Sequence, residues 1–233
     1  MAKILRWAGI QTSVFQGAEN PVKERPIIFN GEMVRAILDG RKTQTRRLIK
    51  PQPEWNEFAN IWQWKGFAVD SGDSPSIYAP YASGDRLWVR ETWAYLAPNS
   101  NKAGNPNGVH TIAYRATDAN PEGIKWRPSI HMKREASRIT LEITGVRVEQ
   151  LWDISDTWDA LSEGIEIDRV FAGKEFHYKD QDVWKDYLFG GHRLCLGESF
   201  ATLWDSIYSE KYPHNSNPWV WVVEFRLLEG GEQ

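Results

Sequence analysis

The chain has 233 residues, a net charge of -3 and 41% hydrophobic residues, which suits one globular domain and excludes a disordered polymer. Its single cysteine, Cys195, excludes a disulfide framework and any zinc site built on several thiolates. No apolar run nears the ~18 residues that cross a bilayer, and Met1–Gln16 lacks the apolar stretch of a signal peptide, so a cytoplasmic protein is expected.

Residues 1–25 carry no clear periodicity and read as an N-terminal extension. Pro26–Phe29 is a short strand candidate. Asn30 stands where an N-cap belongs, and Met33, Val34, Ile37 and Leu38 follow at helical spacing until Gly40 stops the helix. Pro51–Tyr81, rich in proline and holding Trp55, Trp62 and Trp64, reads as a long loop with one short hairpin. From Arg86 to Trp93 the chain alternates, with Leu87, Val89, Glu91 and Trp93 on one face and Arg86, Trp88, Arg90 and Thr92 on the other. A polar loop spans Pro98–Gly108, and Thr111–Thr117 is another strand. Ser137–Leu151 is the longest strand signal, with Gly145 marking a bulge. Ser155 is positioned to cap a helix bearing Trp158 and Leu161 that ends near Gly164. Residues 165–196 read as a mostly polar insertion. Phe200, Leu203, Trp204, Ile207 and Tyr208 complete an amphipathic helix template. Trp219, Trp221, Val223 and Phe225 alternate with Val220 and Val222, as in a central strand. The expected organisation is one α+β domain over 26–228, with insertions near 51–81, 98–108 and 165–196 and a tail at 229–233.

Thirteen tryptophans lead either to a Trp-rich core and rim or to a base-stacking surface. The densest chemistry lies at Gly40–Arg47, where Arg41, Lys42, Arg46 and Arg47 surround Thr43 and Thr45 on a slightly acidic chain. A basic, hydroxyl-rich turn is a candidate anion or nucleotide site, and a lysine near a threonine is one way to activate a nucleophile. No Gly-x-Gly-x-x-Gly or Walker-type loop occurs, and the histidines show no ligand spacing, so no cofactor and no metal are expected.

The run MVRAILDGRKTQTRR, with GDRLWVRETW, WRPSIHM, SRITLEITGVRVEQL, DALSEGI and NPWVWVVEF, resembles the ASCH domain family. The resemblance is greatest to the long members carried by bacteriophages and prophages. It implies a PUA-like fold, a small mixed β-barrel flanked by helices, with long loop insertions. Related small bacterial proteins are amidohydrolases that remove the acetyl group of N4-acetylcytidine. The motif carries their Lys and Thr onto Lys42 and Thr45, and their Glu is best matched by Glu163.

In that reading Lys42, with its pKa lowered by burial or neighbouring cations, takes the proton of Thr45. Thr45 attacks the acyl carbon, and Glu163 orients or protonates the leaving amine. Arg41, Arg46, Arg47, Glu91, His131 and Trp88 are the substrate-binding candidates, Glu91 being paired with Arg90 or another arginine. A basic turn that only binds phosphate is the competing reading. PUA-like folds also bind RNA or modified bases without chemistry, and some relatives cleave RNA, so the expected partner is a modified nucleoside or RNA.

Overall fold

The computed structural model describes residues 21–65, 67–69, 79–96, 111–118, 123–154, 157–166, 184–193, 195–208 and 210–228. In chain order they form β1 (Glu24–Ile28), α1 (Gly31–Leu38), β2 (Gln44–Leu48), β3 (Glu54–Asn56), β4 (Ile61–Trp64), β5 (Phe67–Val69), β6 (Arg86–Arg90) and β7 (Trp93–Leu96). There follow β8 (Thr111–Tyr114), β9 (Thr140–Gln150), α2 (Thr157–Ser162), β10 (Trp184–Lys185), β11 (His192–Arg193), α3 (Leu196–Tyr208) and β12 (Trp219–Leu227). No helix among these residues is long and apolar enough to cross a membrane.

The mixed α/β class and its excess of strands agree with the sequence. The closed barrel does not appear. The main sheet is five-stranded, ordered β1-β6-β9-β12-β2, and β1 and β2 are its edges among the described residues. The sheet curls around one core all the same: Ile27, Leu87, Leu141, Trp221, Val223 and Phe225 from four of its strands belong to a single buried cluster. The Arg47 guanidinium of one edge donates to the Ile28 carbonyl of the other at 2.9 Å.

Strand β12 is central, antiparallel to both β9 and β2. Its alternation serves two layers. Trp221, Val223 and Phe225 face the interior of the curl, while Val220 and Val222 face the second cluster, under Phe200, Leu203 and Trp204 of α3. The expected bulge is present: Glu224 pairs with Gly145 and Phe225 with Ile143, leaving Thr144 as the extra residue of β9.

Three boundaries depart from the sequence reading. Strand β1 begins at Glu24, and its parallel partner β6 holds it from Glu24 to Ile28, so the extension expected over 1–25 ends inside a strand. Within the segment 51–81, β3, β4 and β5 form a three-stranded antiparallel sheet where a loop with one hairpin is expected. Cross-strand aromatic pairing drives it. Trp55 packs edge-on against Trp62, Trp62 against Trp219, and Trp64 against Trp221, at centroid distances of 5.5, 5.7 and 5.6 Å. The 165–196 insertion contains the β10–β11 hairpin, and α3 already starts at Leu196. The Pro98–Gly108 loop, residues 167–183 and Ser155 lie outside the described residues.

Candidate functional site

The site is built where α1 ends. The Asn30 side chain accepts from the Met33 amide at 2.8 Å and caps α1, whose Val34, Ala36 and Ile37 are buried. Gly40, at φ +72°, turns the chain out of the helix. The amides of Arg41 and Lys42 then both bond the Ala36 carbonyl, at 2.9 and 3.0 Å, so the chain hooks back over the helix end. Lys42 precedes β2 and forms an isolated antiparallel bridge with Glu163, just beyond α2. Gly164 makes that approach possible. It holds φ +80°, and a Cβ there would stand 2.8 Å from the Cβ atoms of both Ala36 and Lys42.

The bridge brings the Lys42 side chain onto Glu163. Lys42 Nζ donates to the Glu163 carbonyl at 2.8 Å and to Glu163 Oε2 at 3.0 Å. Arg46 grips the other carboxylate oxygen, donating to Oε1 at 2.9 Å, and its second terminal nitrogen reaches Glu149 at 3.2 Å and Asp159 at 3.4 Å. The side chain of Lys42 is 0% exposed, that of Arg46 1% and that of Glu163 5%. Arg147 continues the network to Glu149, Asp159 and Glu224. Burial lowers the Lys42 pKa; Glu163 opposes the shift, while Arg47 and Arg46 add to it.

Beside this cluster lies a cavity of about 180 Å³. Thr45, Arg46, Arg47 and Glu163 line its polar side, and Met33 with the α3 residues Phe200, Leu203, Trp204, Ile207 and Tyr208 lines the rest. Thr45 is 3% exposed, and its hydroxyl makes no hydrogen bond among the described residues. The Nε atoms of Arg46 and Arg47 are buried and unpartnered. Arg46 stands 5.8 Å from the Phe200 ring, and Arg47 and Lys42 stand 5.2 and 5.7 Å from that of Phe29. The wall therefore offers a hydroxyl, two arginines and aromatic faces to a small planar group carrying acceptor atoms.

Of the nine residues singled out in the sequence, Lys42, Thr45, Arg46, Arg47 and Glu163 gather here. Lys42 and Thr45 are near neighbours in the chain without a direct hydrogen bond; the Nζ bonds go to Glu163. Arg41 is exposed and pairs with Asp39 at 3.0 Å. Glu91, Trp88 and His131 do not line the cavity. Glu91 is buried and held by Arg138, not by Arg90, through two bonds of 2.9 and 3.1 Å; burial raises its pKa and Arg138 pulls it back. Arg138 also lies 4.0 Å over the Tyr114 ring, so this is a closed pair beneath the β7–β8 hairpin. Trp88 lies under Arg90 at 5.2 Å, and His131 is exposed on a 3-10 turn.

The acidic partners Glu149 and Asp159 were not foreseen. Their signal is present in the chain: Asp159 and Glu163 are four residues apart around α2, and Arg147 and Glu149 share one face of β9. Compared with known proteins, the chain matches no family model, no curated protein and no solved structure.

Proposed function

We propose that the protein hydrolyses the exocyclic amide of an N-acylated pyrimidine base, as in N4-acetylcytidine. The observation that carries this is the buried Lys42, its pKa lowered, hydrogen-bonded to Glu163, which lines a small cavity together with Thr45. A volume of about 180 Å³ is below the ~300–1,000 Å³ of drug-sized ligand sites. It suits one pyrimidine ring and its acyl group.

In this reading Thr45 Oγ adds to the acyl carbon while the deprotonated form of Lys42, which burial favours, takes the hydroxyl proton through a bridging water, the two side chains lacking a direct bond. Arg46 and Arg47, whose side chains line the cavity, are the candidate donors for the oxyanion. Collapse of the adduct breaks the C–N bond, and the amine leaves with the proton that Lys42 held. Water then cleaves the Thr45 ester and releases the carboxylic acid. Glu163 is a positioning residue: both of its carboxylate oxygens already accept hydrogen bonds, one from Lys42 Nζ and one from the Arg46 guanidinium.

The test is chromatographic. Purified protein is incubated with N4-acetylcytidine beside Lys42→Ala and Thr45→Ala. The expected result is cytidine from the wild type and a loss of at least about 100-fold in each variant, the usual contribution of a general base. A folded wild type that releases no cytidine overturns the hydrolase.

One observation favours recognition without chemistry: the Lys42 bonds are satisfied by Glu163, which leaves the cavity as an aromatic and guanidinium-lined slot. Cytidine or its acetylated form bound by a folded protein that turns neither over would select that reading.

A further inference from the structure

The cavity has no space for a sugar and its phosphate, yet a second, more open groove of about 410 Å³ adjoins it. Asn30 lines both, and the consecutive α3 residues Ser206 and Ile207 line the groove and the cavity respectively. The groove carries two arginines, Arg35 and Arg115, with the hydroxyl residues Thr92 and Ser206. Its one carboxylate among the described residues, Glu32, is already paired with Lys185. The wall is therefore net positive, against a chain that is net negative.

The two arginines are differently held. Arg35 donates to the Ala116 carbonyl at 3.1 Å, which ties α1 to the turn after β8. The backbone of Arg115 in that turn is fixed, its amide donating to the Thr92 carbonyl at 2.9 Å. The Arg115 guanidinium is exposed and forms no ion pair or hydrogen bond among the described residues. A cation on an anchored backbone, its guanidinium unpaired among the described residues, beside a second arginine and the Thr92 hydroxyl, is a donor set that takes a phosphate; the Ser206 hydroxyl already donates to the Leu203 carbonyl at 2.6 Å.

We propose that this groove is a phosphate subsite continuous with the base cavity, so that the ligand is a nucleotide unit and not a free nucleoside. The inference rests on the cavity holding the base. The phosphate has two sources, the monoester of a free nucleotide and the diester of a polynucleotide strand, and the groove chemistry is common to both.

Calorimetric titration of the full chain with cytidine, cytidine 5′-monophosphate, inorganic phosphate and a five-residue oligocytidylate separates the cases. The monophosphate is expected to bind about tenfold more tightly than cytidine, the size of one charge-assisted contact, with an advantage that shrinks as salt is raised. Arg115→Ala, whose removed side chain has no internal partner, is expected to bring the ratio of the two affinities close to one, and Arg115→Lys to restore part of it. Equal affinity for cytidine and its monophosphate in the wild type, or a ratio untouched by Arg115→Ala, overturns the subsite and leaves the base cavity standing. Arg115-dependent binding of phosphate with no binding of cytidine does the reverse. An oligocytidylate that binds more tightly than the monophosphate, with the same Arg115 dependence, assigns the phosphate to a polymer, and the opposite order assigns it to a mononucleotide.

Discussion

At the scale of single residues, the site concentrates charge where water is excluded. Glu163 neutralises Lys42 and shares Arg46 with Glu149 and Asp159. Glu163→Gln leaves a buried lysine without its counter-ion, which costs about 3–5 kcal/mol; urea unfolding should show that loss as a lowered midpoint with an unchanged slope. Thr45→Val is the contrasting case. Its hydroxyl has no hydrogen bond to lose among the described residues, so stability should change by less than about 1 kcal/mol while cytidine release disappears. The Lys42 titration gives a third expectation. Burial puts its folded pKa below the unfolded one, so between the two values the unfolded chain binds more protons. Stability therefore rises with pH across that window and levels off above the ordinary lysine value. Wild type measured against Lys42→Met from about pH 8 to pH 11, spanning the ordinary lysine range, should gain stability relative to the variant as pH rises. A constant difference would mean that Lys42 titrates alike in both states.

At the scale of elements, two glycines shape the site and differ in what surrounds them. Gly164 holds a left-handed φ, and a Cβ there meets the Cβ atoms of Ala36 and Lys42, neither of which can swing away. Gly164→Ala should cost about 2–4 kcal/mol, summing the left-handed penalty and overpacking, and should push Glu163 off Lys42. At Gly145 the added Cβ meets only the far end of Glu224, at 2.6 Å from Oε2. Glu224 is half-exposed and can swing aside by giving up its ion pair with Arg147, a partly exposed pair of small value, so Gly145→Ala should cost about 1 kcal/mol or less. Equal losses in the two variants would contradict this account of the bridge. Much at this scale was legible in the chain: the Asn30 cap, the alternation of buried Leu87, Val89 and Glu91, and the Gly145 bulge are local patterns. The parallel pairing of β1 with β6 was not, because Glu24–Ile28 shows little alternation and its partner lies some sixty residues on. The motif resemblance put Lys42 and Glu163 in one site, but the backbone bridge between them was not legible, because nothing local records a contact across 121 positions.

At the scale of the whole molecule, the tryptophans separate two views of the 51–81 segment. As an appended loop it would be dispensable, and its aromatic residues would form a stacking surface. The structure sends Trp62 and Trp64 inward onto Trp219 and Trp221 of the central strand, while Trp55 remains half-exposed and Phe58 fully exposed. Trp64 is buried in the main core, and its indole N–H bonds the Pro51 carbonyl at 2.8 Å. The β3–β5 sheet thus packs onto the central strand and helps bury the core of the five-stranded sheet. Trp64→Ala should then cost about 3–5 kcal/mol, as removal of a core aromatic does, and Phe58→Ala should change stability by no more than about 0.5 kcal/mol. Both follow from urea unfolding monitored by far-ultraviolet circular dichroism, which does not depend on the deleted chromophore. A Trp64→Ala midpoint equal to wild type would return the segment to an appended loop and remove it from the core that holds β12, and with it β2 and Thr45, in place.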